Sequence, residues 1–151
     1  MPDAYTTFSK ETFAAFRADG RAGPVHMLNL IRLHPQARYP DGRTVSGQEA
    51  YEAYGRLSAR AFARAGGRIC WRGRFELSMI GPADETWDIC FIAGYPSPEA
   101  FTEMLCDPGY REAMAHRQAA VADSRLIRFG VLSNGVRFDQ VDSILQSGGS
   151  T

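Results

Sequence analysis

DPGYREAMAHRQAAVADSR, Asp107 to Arg125, decides the fold of this chain. Asp107 is a helix N-cap residue, because its carboxylate accepts from backbone N–H groups that have no partner in the first turn. Pro108 then fits the first helical position, where its missing N–H costs nothing. The helix runs on to a strand, Ser124 to Leu132, SRLIRFGVL. A helix feeding directly into an apolar strand is half of a βαβ unit, so the other elements of that unit lie upstream.

They are legible in reverse order. Glu99 to Leu105 is a short helix, opened at Ser97 with Pro98 in its first turn. Thr86 to Tyr95, TWDICFIAGY, is a strand rich in aromatic and branched residues. Arg68 to Phe75, RICWRGRF, alternates with period two. Ile69, Trp71, Gly73 and Phe75 are expected on one face, and Arg68, Cys70, Arg72 and Arg74 on the other. Ser46 to Ala65 is the longest helix. It opens on the capping-box pattern Ser46-Gly47-Gln48-Glu49 and stops at Gly66-Gly67. Tyr54, Leu57, Ala61 and Ala65 share a face, which Tyr51, Ser58 and Phe62 widen. Val25 to Leu33, VHMLNLIRL, is apolar on both alternating faces, so both faces are expected to be buried. Asn29 sits in the middle of one apolar row and needs either a backbone partner or a pocket.

The order strand, helix, strand, strand, helix, strand is the ferredoxin-like split βαβ arrangement, an α+β fold with helices on one face of an antiparallel sheet. Residues 24–132 form that domain. Residues 1–23 are an arm and a helix capped by Ser9, and 133–151 are a C-terminal extension with an edge strand or docked helix at Val136 to Leu145 and a frayed end. The loop from His34 to Val45 holds the turn YPDG and reads as a lid or a dimer contact.

Composition narrows the function. Seventeen basic residues balance seventeen acidic ones, and this gives no footprint for nucleic acid or an anionic membrane. No stretch approaches the roughly 20 apolar residues of a membrane span. The N-terminus has no signal pattern, so the expected setting is cytoplasmic. The three cysteines are widely spaced, form no zinc motif, and read as reduced. In the strands, Cys70 and Cys90 are expected to behave as small hydrophobes.

Taken together, Gly66-Gly67-Arg68, Trp71-Arg72-Gly73, Tyr95-Pro96-Ser97, Asp107-Pro108, Tyr110, His116-Arg117 and Ala122-Asp123-Ser124-Arg125 resemble the domain of unknown function 1330 family. The resemblance spans roughly Val25 to Phe129. MLNL in the first strand and YPDG before the first core helix resemble a longer branch of it. It implies a dimeric α/β barrel, two ferredoxin-like sheets packed face to face as a homodimer, and no settled reaction. Relatives of that architecture include cofactor-independent monooxygenases, muconolactone-type isomerases, polyketide cyclases and heme-dependent enzymes. Shared architecture does not transfer chemistry.

The candidate site is read from the residues. His116, one turn after Glu112, is either a helix-packing imidazole with a local partner or a general acid/base. In an enzyme, Asn29 would polarise an oxygen, and Arg72 or Arg117 would hold an anionic group. Trp71 and Tyr54 read first as core and second as substrate walls. No metal site is expected and no cofactor is called for, although a lone histidine leaves heme ligation open. Two functions compete: a cofactor-independent isomerase, cyclase or monooxygenase acting on a small organic molecule, and a non-catalytic dimer that binds a metabolite or serves as structure.

Overall fold

The computed structural model describes residues 4–135 and 137–140. Eight main elements follow in order: α1 (Lys10–Ala18), β1 (Val25–Leu33), α2 (Gly47–Arg64), β2 (Arg68–Gly73), β3 (Ile89–Tyr95), α3 (Pro98–Cys106), α4 (Pro108–Ala120) and β4 (Val121–Gly130). The four strands form one sheet in the order β2-β3-β1-β4, with every described pairing antiparallel. That is the ferredoxin-like order, and β1 takes a central place because its residues are apolar on both faces.

The caps read from sequence are formed. Ser46 Oγ accepts from the Glu49 N–H at 3.0 Å, Ser97 Oγ from Ala100 at 3.1 Å, and Asp107 Oδ1 from Gly109 at 2.8 Å. Gly66 takes φ +76° and ends α2. Its N–H donates to Ala63 O, and that of Gly67 donates to Phe62 O, so two terminal carbonyls are satisfied. At the other boundary α4 passes into β4 with no intervening turn, and the strand begins three residues earlier than the apolar run suggests.

Val25, Met27 and Ile31 point from β1 into the helix layer and are almost wholly buried. Val25 and Met27 pack with Ala61, Ala93, Tyr95, Phe101 and Met104, while Ile31 packs with Ala50, Ala119 and Val121. Along α2 the buried residues are Gly47, Ala50, Ser58 and Ala61, whereas Leu57, expected inside, is exposed.

Several expectations are corrected. The strict alternation of RICWRGRF fails, because the register of β2 against β3 slips between Ile69 and Trp71. Ile69 pairs with Ala93 and Arg72 with Phe91 on the helix-covered side, while Trp71 pairs with Ile92 on the opposite side. A bulge adds one residue and reverses the facing of everything after it. β2 ends at Gly73, and β3 starts at Ile89 rather than Thr86. Cys90 is buried as expected, but Cys70 is exposed beside His26, with Sγ and Nε2 3.5 Å apart. The predicted C-terminal element and frayed end fall mostly outside the described residues; Phe138–Gln140 form one 3-10 turn.

Candidate functional site

A cavity of about 1060 Å³ opens between the helix layer and the sheet. That is at or just above the ~300–1,000 Å³ range of pockets that enclose drug-sized ligands. Its floor is a row of the sheet running Arg72, Phe91, Asn29, Leu126, one residue from each strand. Its roof is α2 and α4, which contribute Tyr51, Tyr54, Tyr110, Met114 and Arg117. The third wall is the N-terminal arm and α1, from Tyr5 to Phe16.

Phenol groups line the roof. Tyr54 and Tyr110 share a hydrogen bond between their hydroxyls at 2.9 Å, with the rings edge to face. Tyr51 leans on Tyr54 with ring centroids 5.3 Å apart. Burial pushes the Tyr51, Tyr95 and Tyr110 phenols above their ordinary range, and the neighbouring Tyr54 adds to the effect. The positive charge of Arg117 opposes that shift at Tyr51 and Tyr110 without reversing it. These three phenols are therefore neutral at pH 7, able to donate a hydrogen bond. Asn29 both faces the cavity and satisfies part of its amide locally, with Nδ2 donating to Met27 O at 3.1 Å.

The arm is strapped over one edge. The Tyr5 N–H donates to Asp123 Oδ1 at 2.9 Å, Ser124 Oγ–H donates to Tyr5 O at 2.7 Å, and Arg117 Nη1 donates to Thr6 O at 2.7 Å. The Arg125 guanidinium lies over the Tyr5 ring, 4.9 Å from its centre. Burial would raise the Asp123 carboxyl, but the Tyr5 N–H and Arg125 outweigh it and hold the group below its ordinary range.

Of the six residues singled out from sequence, the cavity brings together Asn29, Arg72, Tyr54 and Arg117. It does not include His116 or Trp71. His116 Nδ1 lies 2.6 Å from the Tyr39 hydroxyl, so its partner comes from the loop before α2 rather than from Glu112. Trp71 lies on the other side of the sheet, half exposed, with its ring over Gly73. The sequence reading left Tyr95 and Arg128 out of the site and left open whether residues 1–23 cover it or extend a dimer contact. Tyr51 and Tyr110 were visible as a packing residue and a motif residue, and their 3.6-residue periodicity alone cannot separate a core phenol from a cavity phenol. Among the described residues, no group of three or more His, Cys, Asp or Glu side chains is placed to hold a metal ion. No described helix is long and apolar enough to cross a membrane.

Comparison with known proteins bears on the family. No curated protein matches the chain. The crystal structure of the methylated RPA0582 protein superposes with a TM-score of 0.86 at 59% identity, covering 88% of this chain and 98% of that one. A second structure of RPA0582, described as a protein of unknown function from Rhodopseudomonas palustris, gives 0.84 at 58% identity over 87% and 99%. SnoaB, a cofactor-independent oxygenase from Streptomyces nogalater, is similar at 20% identity with a TM-score of 0.47, over 77% of this chain and 100% of that one, too little to carry any chemistry across. Residues 42–130 match a family profile that begins after β1, later than the Val25 start read from the motifs. That match takes in α2 to β4, and the chain belongs to the family described as domain of unknown function (DUF1330).

Proposed function

We propose that this protein binds a small organic molecule in the cavity beneath the arm, and that it works as a homodimer joined through the uncovered face of its sheet. The reading rests on one observation: a large cavity with Phe, Met and Tyr walls, whose lining includes the Tyr54–Tyr110 pair and the Asn29 amide. Neutral phenols and an amide are suited to hold a carbonyl, enolate or phenolate oxygen while the apolar walls take the body of the ligand. The enzymatic form of this reading is cofactor-independent isomerisation, cyclisation or oxygenation, with those donors stabilising negative charge that develops on the bound oxygen. The non-catalytic form is a metabolite-holding dimer. A reducing, cytoplasmic setting suits the three free cysteines.

A thermal-shift screen of aromatic and carbonyl compounds tests the binding. A true ligand raises stability as RT ln(1 + [L]/Kd) and saturates. Asn29→Ala and Tyr110→Phe should each weaken it by about fivefold to tenfold, the worth of one hydrogen bond to a polar ligand atom. Unchanged affinity in both variants would remove the cavity as the site. Mass analysis of the ligand after long incubation separates turnover from binding.

A further inference from the structure

We infer that the ligand is an organic anion, its negative charge balanced by the cations Arg117 and Arg128 of the lining and its apolar body lying against Phe16, Phe101 and Met104. The inference rests on the cavity being the binding site and adds the class of molecule it takes. Among the described residues, the cavity lining contains five arginines and no Asp, Glu or His. The five are not equivalent. Arg125 is committed to Asp123 at 2.9 Å and Glu85 at 3.4 Å. Arg68 and Arg72 sit on the exposed strand β2, where water serves their charges. Arg117 is half-buried, and its described hydrogen bond goes to an uncharged carbonyl, Thr6 O. No described carboxylate lies within salt-bridge distance of it. A half-buried cation whose described partner is only a neutral carbonyl is open to an anion that supplies the opposite charge.

Arg128 makes the same point independently. It stands on the helix-covered side of β4, opposite Met27, with its guanidinium 4.7 Å from the centre of the Phe16 ring. Nη1 reaches Asp19 only at 3.8 Å, and Nη2 is buried with no hydrogen-bond partner. An orphaned buried donor costs about 1–3 kcal/mol, and one ligand oxygen would recover it. Two under-used guanidiniums beside an apolar wall describe a site for an amphipathic anion. Planar guanidinium groups also match a carboxylate or sulfonate oxygen pair in shape.

Two fluorescent probes test this. 1-Anilinonaphthalene-8-sulfonate and N-phenyl-1-naphthylamine share an aromatic body and differ in the sulfonate. The full chain should bind the sulfonate at least about tenfold more tightly. Arg117→Gln keeps a donor for Thr6 but drops the charge. It should erase most of that preference while leaving the neutral probe within about twofold. Arg117→Lys keeps the charge and should restore part of the preference. Arg128→Gln should act like Arg117→Gln. Equal affinity for both probes in the unaltered chain, or an equal loss of preference in the Gln and Lys variants, overturns the anion assignment and leaves the cavity reading standing. If neither probe binds, or neither is displaced by the other, the cavity reading falls with it.

Discussion

The two faces of the sheet solve opposite problems with the same alternation of residues. The helix-covered face carries Val25, Met27 and Ile31 at 4% exposure or less, and in the space between them and α2 it leaves the cavity. The other face presents the row Trp71, Ile92, Leu28, Ile127 across all four strands, with Trp71 50% and Ile127 42% exposed, and Phe129 48% exposed beside it. Among the described residues, one face is finished by the helix layer, and the other is an apolar surface without a cover. Contiguous exposed apolar surface of this kind marks an association site. A second copy meeting it face to face costs no new sequence, because an isologous interface uses one patch twice. In the proposed dimer, the contrast separates residues that hold the chain folded from residues that would hold two chains together.

The largest expected effect lies on the uncovered face. Ile127→Asp places a carboxylate in the centre of the apolar row, twice per dimer by symmetry. Stranding unpaired charge there costs several kcal/mol. Sedimentation equilibrium at micromolar concentration should give twice the chain mass for the native protein and one chain mass for this variant, with the thermal transition of the monomer still cooperative. A native protein that sediments as a monomer breaks the comparison, since the row would then be exposed in solution with nothing to explain it.

Next in size is the finished face. Ile31 is 1% exposed and is among the largest fully buried side chains. Ile31→Ala removes its methylenes and leaves a void, which costs about 2–5 kcal/mol of stability. Leu28→Ala, three residues away on the opposite face, should cost the monomer less than about 1.5 kcal/mol and weaken association instead. Urea denaturation run above and below the dimer dissociation concentration reads both quantities. Equal losses of monomer stability in the two variants would show that the faces are not divided in the way described.

The contrast between faces explains what the sequence revealed. β1 is apolar at both phases of its alternation, so the burial of Val25, Met27 and Ile31 under the helices was legible from VHMLNLIRL. Burial of its second face, also expected from that pattern, is not reached within the described chain and rests on the proposed dimer. The caps at Ser46, Ser97 and Asp107 were legible because each depends on a side chain and a backbone N–H three residues or fewer away. The facing of Trp71 was not. It depends on one extra residue in β2 relative to β3, and a bulge is a property of the pairing, invisible in either strand alone. His116 was misplaced for a similar reason. Glu112 is its neighbour along the helix, but Tyr39 is its partner in space, 77 positions away in the chain. The cavity was half legible: Asn29 drew attention as an amide in an apolar row, and the arm that walls it has no periodicity to read.

A smaller effect tests whether the cavity phenols belong to the site or to the core. Tyr110→Phe removes one hydroxyl from a pair held at 2.9 Å and leaves the Tyr54 hydroxyl short of a partner. The expected loss is about 1 kcal/mol in the unliganded protein. Tyr95→Phe loses only a weak contact to the Met104 sulfur at 3.9 Å and should be close to neutral. Both variants keep the ring and its packing, so a difference between them isolates the hydrogen bond. If Tyr95→Phe proves the more costly, the polar centre of the cavity lies elsewhere.

The smallest effect falls at β4, the edge where the two faces meet and the arm crosses over. Asp123 holds the arm through the Tyr5 N–H, and its carboxyl titrates below the ordinary 3.8. A carboxyl whose folded pKa is depressed stabilises the state in which it is bound. That stabilisation is complete above the unfolded pKa and is lost as pH falls through the lower folded value. Protection of the Tyr5 amide, measured by hydrogen exchange and corrected for the intrinsic rate, should therefore be level from pH 7 down to about 4.5 and decline below it. Asp123→Asn can still accept that N–H through its amide oxygen but has no proton to gain, so its protection should be lower at pH 7 and flat with pH. A native profile that stays flat to pH 3 would mean the arm is held by Ser124 and Arg117 without help from the carboxylate. The wall of the cavity would then be seated by neutral hydrogen bonds and the Arg117 charge alone, and its closure would not respond to acid.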